Sequence, residues 1–152
     1  MTYHAPIPRP SIVAITLRLT DPSSDLLVRH VRLLRDCVAL AQKRWDFGIE
    51  AAVVLPNELQ LLGSFADDQS GVGGAIRLIR STFARHLPES GVDIWNDDVE
   101  VLEVSRPVVA LRRTFMEMAP VRAGMVRSAR DWPFSSAHKD VVQGTATGVA
   151  VA

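Results

Sequence analysis

Two side chains that can offer oxygen to a ligand, Glu58 and Gln60, alternate with Leu59 and Leu61 in the stretch VVLPNELQLLG, residues 53–63. Strand geometry repeats every two residues, so the polar pair projects from one face and the leucines from the other. Oxygen ligands suit a hard cation such as Mg²⁺ or Ca²⁺, but one carboxylate is too little to dehydrate it. Glu50 is a second acid that could pair with Glu58, since paired carboxylates do acid–base work when their environments split their pKa values. Eight residues and a turn separate the two. Elsewhere the reactive side chains are scattered. His4, His30, His86 and His138 have no i+2 or i+4 partner and give no zinc or acid–base pattern. Cys37 is the only cysteine, which excludes an internal disulfide, and its apolar helical setting reads as a buried thiol. The only tyrosine, Tyr3, lies in a proline-rich arm.

These residues need elements to place them. Residues 11–20, SIVAITLRLT, are rich in β-branched side chains and read as a first strand. After the turn DPSSD, Leu26, Leu27, His30, Leu33, Leu34, Cys37, Leu40 and Ala41 recur at helical spacing, predicting one amphipathic helix to near Trp45. Residues 47–55 and 58–65 read as two strands joined at Pro56-Asn57, a turn dipeptide. A loop is expected over 66–74. A second helix is expected over 75–87, with Ile76, Ile79, Phe83 and Leu87 facing in and Arg77, Arg80 and Arg85 facing out. Short strands at 92–95 and 99–104, or one interrupted strand, precede a third helix over 107–118, started by Pro107 and ended by Pro120. The order β-α-β-β-α-β-α predicts an α+β fold of the ferredoxin-like, split β-α-β type, an antiparallel sheet with helices packed mainly on one face. One domain over 11–136 is expected, with an N-terminal arm at 1–10 and a flexible C-terminal tail at 137–152.

Composition narrows the function classes. Of 152 residues, 47% are hydrophobic, which excludes a disordered chain. Seventeen basic and seventeen acidic residues cancel, so there is no general pull toward nucleic acid or anionic lipid. Fifteen of the basic residues are arginine, whose fork suits phosphate, although codon bias accounts for the excess more simply. No apolar run reaches the ~18 residues of a membrane span. No signal core is visible, and a cytoplasmic setting is expected.

Four segments together resemble the REP-associated tyrosine transposases, a group of the single-tyrosine HUH transposases: VLPNELQLL at 54–62, Trp95 within IWNDD, TFMEMAPVRAGMV at 114–126 and DWPFSS at 131–136. Their order and spacing fit the family from about Ile12 to Ser136. The family pattern on the strand is like vMPNHvHLL, and on the helix like YIxxNPvrAGLV. The resemblance implies two strand imidazoles holding a divalent metal such as Mg²⁺ or Mn²⁺, a helix tyrosine that attacks phosphorus and becomes linked to the 5′ end of the cut strand, and a polar residue one turn later completing the metal site. At the matching positions this chain carries Glu58 and Gln60 for the imidazoles, Phe115 for the tyrosine and Ala119 for the polar residue. All four departures fall on the chemistry, while PN, PVRAG and DWPFSS persist. The resemblance therefore implies a transposase-like protein unable to cleave DNA, with no functional catalytic residue and no metal or other cofactor.

The implied partner is single-stranded or hairpin DNA. Candidate contacts are Arg77, Arg80, Arg112, Arg113 and Arg122, opposed by an acidic run of Glu89, Asp93, Asp97, Asp98, Glu100 and Glu103. Alternatives stay open: an interaction module or homodimer that keeps only the fold, a mobile-element remnant, or an enzyme using Glu58 with Glu50.

Overall fold

The computed structural model describes residues 10–66, 68–88 and 93–138. The expected arm and tail lie outside them, apart from Pro10, Ala137 and His138, and so do Tyr3, His4 and Glu89. The elements run β1 Ser11–Arg18, α1 Leu26–Arg29, α2 Val31–Trp45, β2 Gly48–Leu55, β3 Glu58–Phe65, α3 Val72–His86, β4 Glu100–Val104, α4 Val109–Glu117 and α5 Ala119–Arg122. Four antiparallel strands form one sheet in the order β2-β3-β1-β4. The expected α+β architecture is the one observed.

Strand parity divides the core in two. Val13, Ile15 and Leu17 of β1, Ala52 and Val54 of β2, and Leu59 and Leu61 of β3 face the long helices α2 and α3. Ile12 and Ala14, Ala51, Val53 and Leu55, and Leu62 turn the other way, joined by Val104 of β4, Met116 of α4 and Ala119 of α5. Helices therefore cover mainly one face, and α4 with α5 cover part of the opposite one.

Several boundaries differ from the sequence expectation, each for a local reason. The helix expected from Leu26 to Trp45 breaks at His30, whose φ of −115° and ψ of 40° leave the helical region. The Leu27 N–H donates to the Pro56 carbonyl, fastening the first turn to the β2–β3 loop. Leu40 is exposed, and Val38 takes the buried place instead. Helix α3 starts at Val72, inside the segment expected as loop. Gly74 serves close approach, since a Cβ there would lie 2.2 Å from the Trp45 ring, and Gly71 has φ of +94° at the N-cap. Of the strand expected at 92–95, residue 92 lies outside the described residues, and 93–95 supply only a single bridge, Leu19 to Trp95. Pro120 does not simply end the third helix. The chain breaks at Met118, and Pro120 falls in the first turn of α5, where a missing N–H costs nothing.

The DWPFSS segment closes the β2 edge, which would otherwise offer unpaired backbone groups. Val54 N–H donates to Phe134 O at 2.8 Å, and the Trp132 indole N–H donates to Val54 O at 2.8 Å. The Ser136 hydroxyl links two elements, accepting from Ala52 N–H at 3.2 Å and donating to Glu117 of α4 at 2.5 Å. Among the described residues no helix is long and apolar enough to cross a membrane.

Candidate functional site

The face that carries Glu58 and Gln60 is the one that α4 and α5 cross. Parity and register set this: Gln60 pairs with Thr16 of β1, Thr16 pairs with Glu100 of β4, and Glu58 pairs with Arg18. Thr16, Arg18, Glu58, Gln60 and Glu100 thus form two adjoining polar rows on one surface.

Both Glu58 oxygens are engaged. Arg18 Nε donates to Oε1 at 2.7 Å, and the Gln60 amide donates to Oε2. The same guanidinium reaches Glu100, with Nη1 at 3.1 Å from Oε1. Glu58 keeps only 15% of its side-chain surface exposed, so its charge needs this partner. The hydrogen bond with Glu100 first, and the charge and hydrogen bond of Glu58 after it, hold the Arg18 guanidinium above its ordinary, already high, range, while burial opposes them. The site is a two-carboxylate clamp on a tethered cation. Arg18 was not singled out by sequence reasoning, yet a signal was present. It is the one charged residue in a mainly apolar strand, and such a residue seldom goes without a counter-charge.

Glu50 does not join Glu58. It occupies a bulge in β2 between Ile49 and Ala51, five residues along the strand from Leu55, the residue opposite Glu58. That separation is roughly 16 Å. The paired-acid enzyme is set aside on this geometry. Among the described residues no three His, Cys, Asp or Glu side chains gather as a metal-binding group.

The helix positions lie on the same face. Ala119 is buried, 6% exposed, in the cluster with Val53, Leu55 and Leu62. Val53 and Leu55 are the cross-strand partners of Gln60 and Glu58, so a methyl group sits beside the polar rows and brings no donor. Phe115, by contrast, is 55% exposed and lines a groove of about 440 Å³ with Leu102, Val104, Val108, Leu111 and Arg112. The Arg122 guanidinium lies 4.0 Å from the Phe115 ring centroid, and its Nη1 donates to Phe115 O at 2.7 Å. Arg112 is 5.7 Å from the same centroid. Met116 is buried as core, while Met118 is exposed.

The five candidate arginines do not form one surface. Arg112, Arg113 and Arg122 belong to α4 and α5, on the side of the polar rows. Arg77 and Arg80 belong to α3, across the sheet. Arg80 is structural: its Nη2 donates to Asn96 O at 3.4 Å and lies 3.6 Å from Asp97. Its own carbonyl accepts the Trp95 indole N–H at 3.0 Å, so Trp95 is a buried core residue. Arg113 pairs with Glu117 at 3.2 Å. Of the acidic run, Glu100 is committed to Arg18, while Asp93, Asp97, Asp98 and Glu103 are exposed.

No family model matches the chain. It is 25% identical over 132 residues to the REP-associated tyrosine transposase of Escherichia coli K12, covering 85% of this chain and 78% of that protein. It is 24% identical over 154 residues to a Haemophilus influenzae protein assigned provisionally to the same type, covering 91% and 86%. In fold it is similar to a REP-associated tyrosine transposase solved bound to a REP hairpin, with a TM-score of 0.78, 22% identity, and coverage of 100% of this chain and 94% of that one. A provisional transposase of Deinococcus radiodurans gives a TM-score of 0.54 at 18% identity, covering 77% and 96%.

Proposed function

The chain is a homologue of the REP-associated tyrosine transposases, and on that premise we propose that it binds structured single-stranded DNA without cutting it. The observation that carries the reading is Phe115. A phenyl ring stands at the helix position matching the family's attacking tyrosine, and carbon cannot supply the oxygen that displaces a leaving group at phosphorus. The metal that the family uses does not fit the groups around it. Glu58 gives one oxygen to Arg18 and the other to Gln60, the guanidinium already places a positive charge there, and Ala119 contributes no ligand. No cleavage step and no cofactor is assigned.

Retained binding rests on kinship and on surface chemistry. A neighbour of the same fold was solved on a REP hairpin. In this chain Arg112 and Arg122 lie beside an exposed aromatic ring, a combination that suits single strands. The test has two arms. Incubation with a single-stranded hairpin and Mn²⁺ or Mg²⁺, followed by a denaturing gel, is expected to give no covalent protein–DNA adduct. An adduct would end the claim of inactivity. Fluorescence anisotropy at low salt is expected to detect hairpin binding, and its absence for every hairpin tried would remove the DNA reading.

A second reading, an interaction module or homodimer that keeps only the fold, draws on the apolar exposure of Leu102, Val108 and Leu111. Light scattering that finds a dimer with no DNA affinity would favour it. A setting in the cytoplasm is proposed with either reading.

A further inference from the structure

Resting on the single-strand DNA reading above, we infer that the groove between β4 and α4 is a base-stacking subsite, taking one unpaired base of the bound strand against the Phe115 ring. The groove has a volume of about 440 Å³, within the ordinary range for a ligand site of ~300–1,000 Å³. Its walls are apolar side chains left open to solvent: Leu102 is 52% exposed and Leu111 71%. An exposed aromatic ring in an apolar slot offers a base the stacking surface that every nucleobase can use, whatever its sequence.

Charge selects the occupant. Arg122 does not line the groove. It lies over the Phe115 ring and is fixed there by its bond to the Phe115 carbonyl, while the ring itself lines the groove and stays 55% exposed. Arg112 does line it and places a guanidinium where a strand's phosphate would pass. An aromatic platform flanked by two guanidinium groups matches an anionic strand with an unstacked base better than it matches a neutral apolar peptide. The proposed occupant differs from the polar rows at Glu58, which have no positive charge left to offer a phosphate.

The test uses the full chain and a DNA hairpin carrying 2-aminopurine at one single-stranded position after another. With the base at the subsite position, binding is expected to quench its fluorescence. An abasic site there is expected to weaken binding by about 5- to 150-fold. Phe115→Ala should remove both effects, while Phe115→Tyr, which keeps the ring, should preserve both. The idea is overturned if hairpins bind but no single-stranded position responds to Phe115→Ala. In that case the broader DNA reading survives. Absence of any hairpin binding removes both together. A homodimer that dissociates on Leu111→Asp would instead put a second copy of the chain in the groove, and that also overturns the subsite.

Discussion

At the residue scale, the polar rows behave as a compensated charge cluster. Arg18 serves two carboxylates, one of them mostly buried. Arg18→Ala is expected to lower unfolding stability by about 1–2 kcal/mol, between the values of an exposed pair and a fully buried one. Adding Glu58→Gln should recover part of that loss, because the orphaned charge is then gone. Urea denaturation of the single and double variants measures this, and an additive pair of losses would contradict the clamp. Cys37 gives a pH-dependent counterpart. Burial first, then the neighbouring Asp36 charge, pushes its thiol up to about 11. The folded protein therefore holds the thiol proton after the unfolded chain has released it. This contribution to stability is intact below pH ~9, the ordinary thiol range, and is lost as pH rises from there toward 11. At pH 8 a thiol reagent should leave native Cys37 unmodified and label it in urea. Rapid labelling of the native protein would refute its burial.

At the element scale, the two long helices meet through glycine. The end of α2 and the first turn of α3 approach so closely that a Cβ on Gly74 would overlap the Trp45 ring at 2.2 Å. Gly74→Ala gains helix propensity of about 1 kcal/mol. It must also displace an indole that fills the contact. The clash is expected to win, with a net loss of about 1–2 kcal/mol. Because Trp45 is at the surface and can swing out, its emission should shift to the red as well. A variant more stable than the parent, with unchanged emission, would mean that the helices are farther apart than described. The glycine run looked like a loop because propensity was read without the partner helix. A helix pays the cost of glycine when another element must come close.

At the scale of the whole molecule, the sheet separates the arginines into two groups, and only one lies on the side of the polar rows and the groove. Arg112→Ala is expected to weaken hairpin binding and to reduce the slope of log K against log salt by about 0.7, the value for one single-strand phosphate contact. Arg77→Ala, on the exposed surface of α3, should leave both unchanged. Anisotropy titrations at several salt concentrations separate the two. Equal effects would mean that the strand wraps around both faces. Net neutrality of the chain hides this arrangement, since total charge says nothing of where charges lie.

The sequence alone determined whatever depends on neighbours along the chain: the order of strands and helices, the shared parity of Glu58 and Gln60, the hairpin at Pro56-Asn57, and the phenyl and methyl groups at 115 and 119. Periodicity is local, so it survives in one dimension. Only the tertiary structure decided what those residues meet. Arg18 and Glu58 are 40 positions apart, and Arg18 and Glu100 are 82 apart. Their meeting is set by the registers of β1 against β3 and β4, and a slip of one residue would turn each side chain to the other face. Register is fixed by burial of both sheet faces at once, a property of the assembled core that no single segment contains.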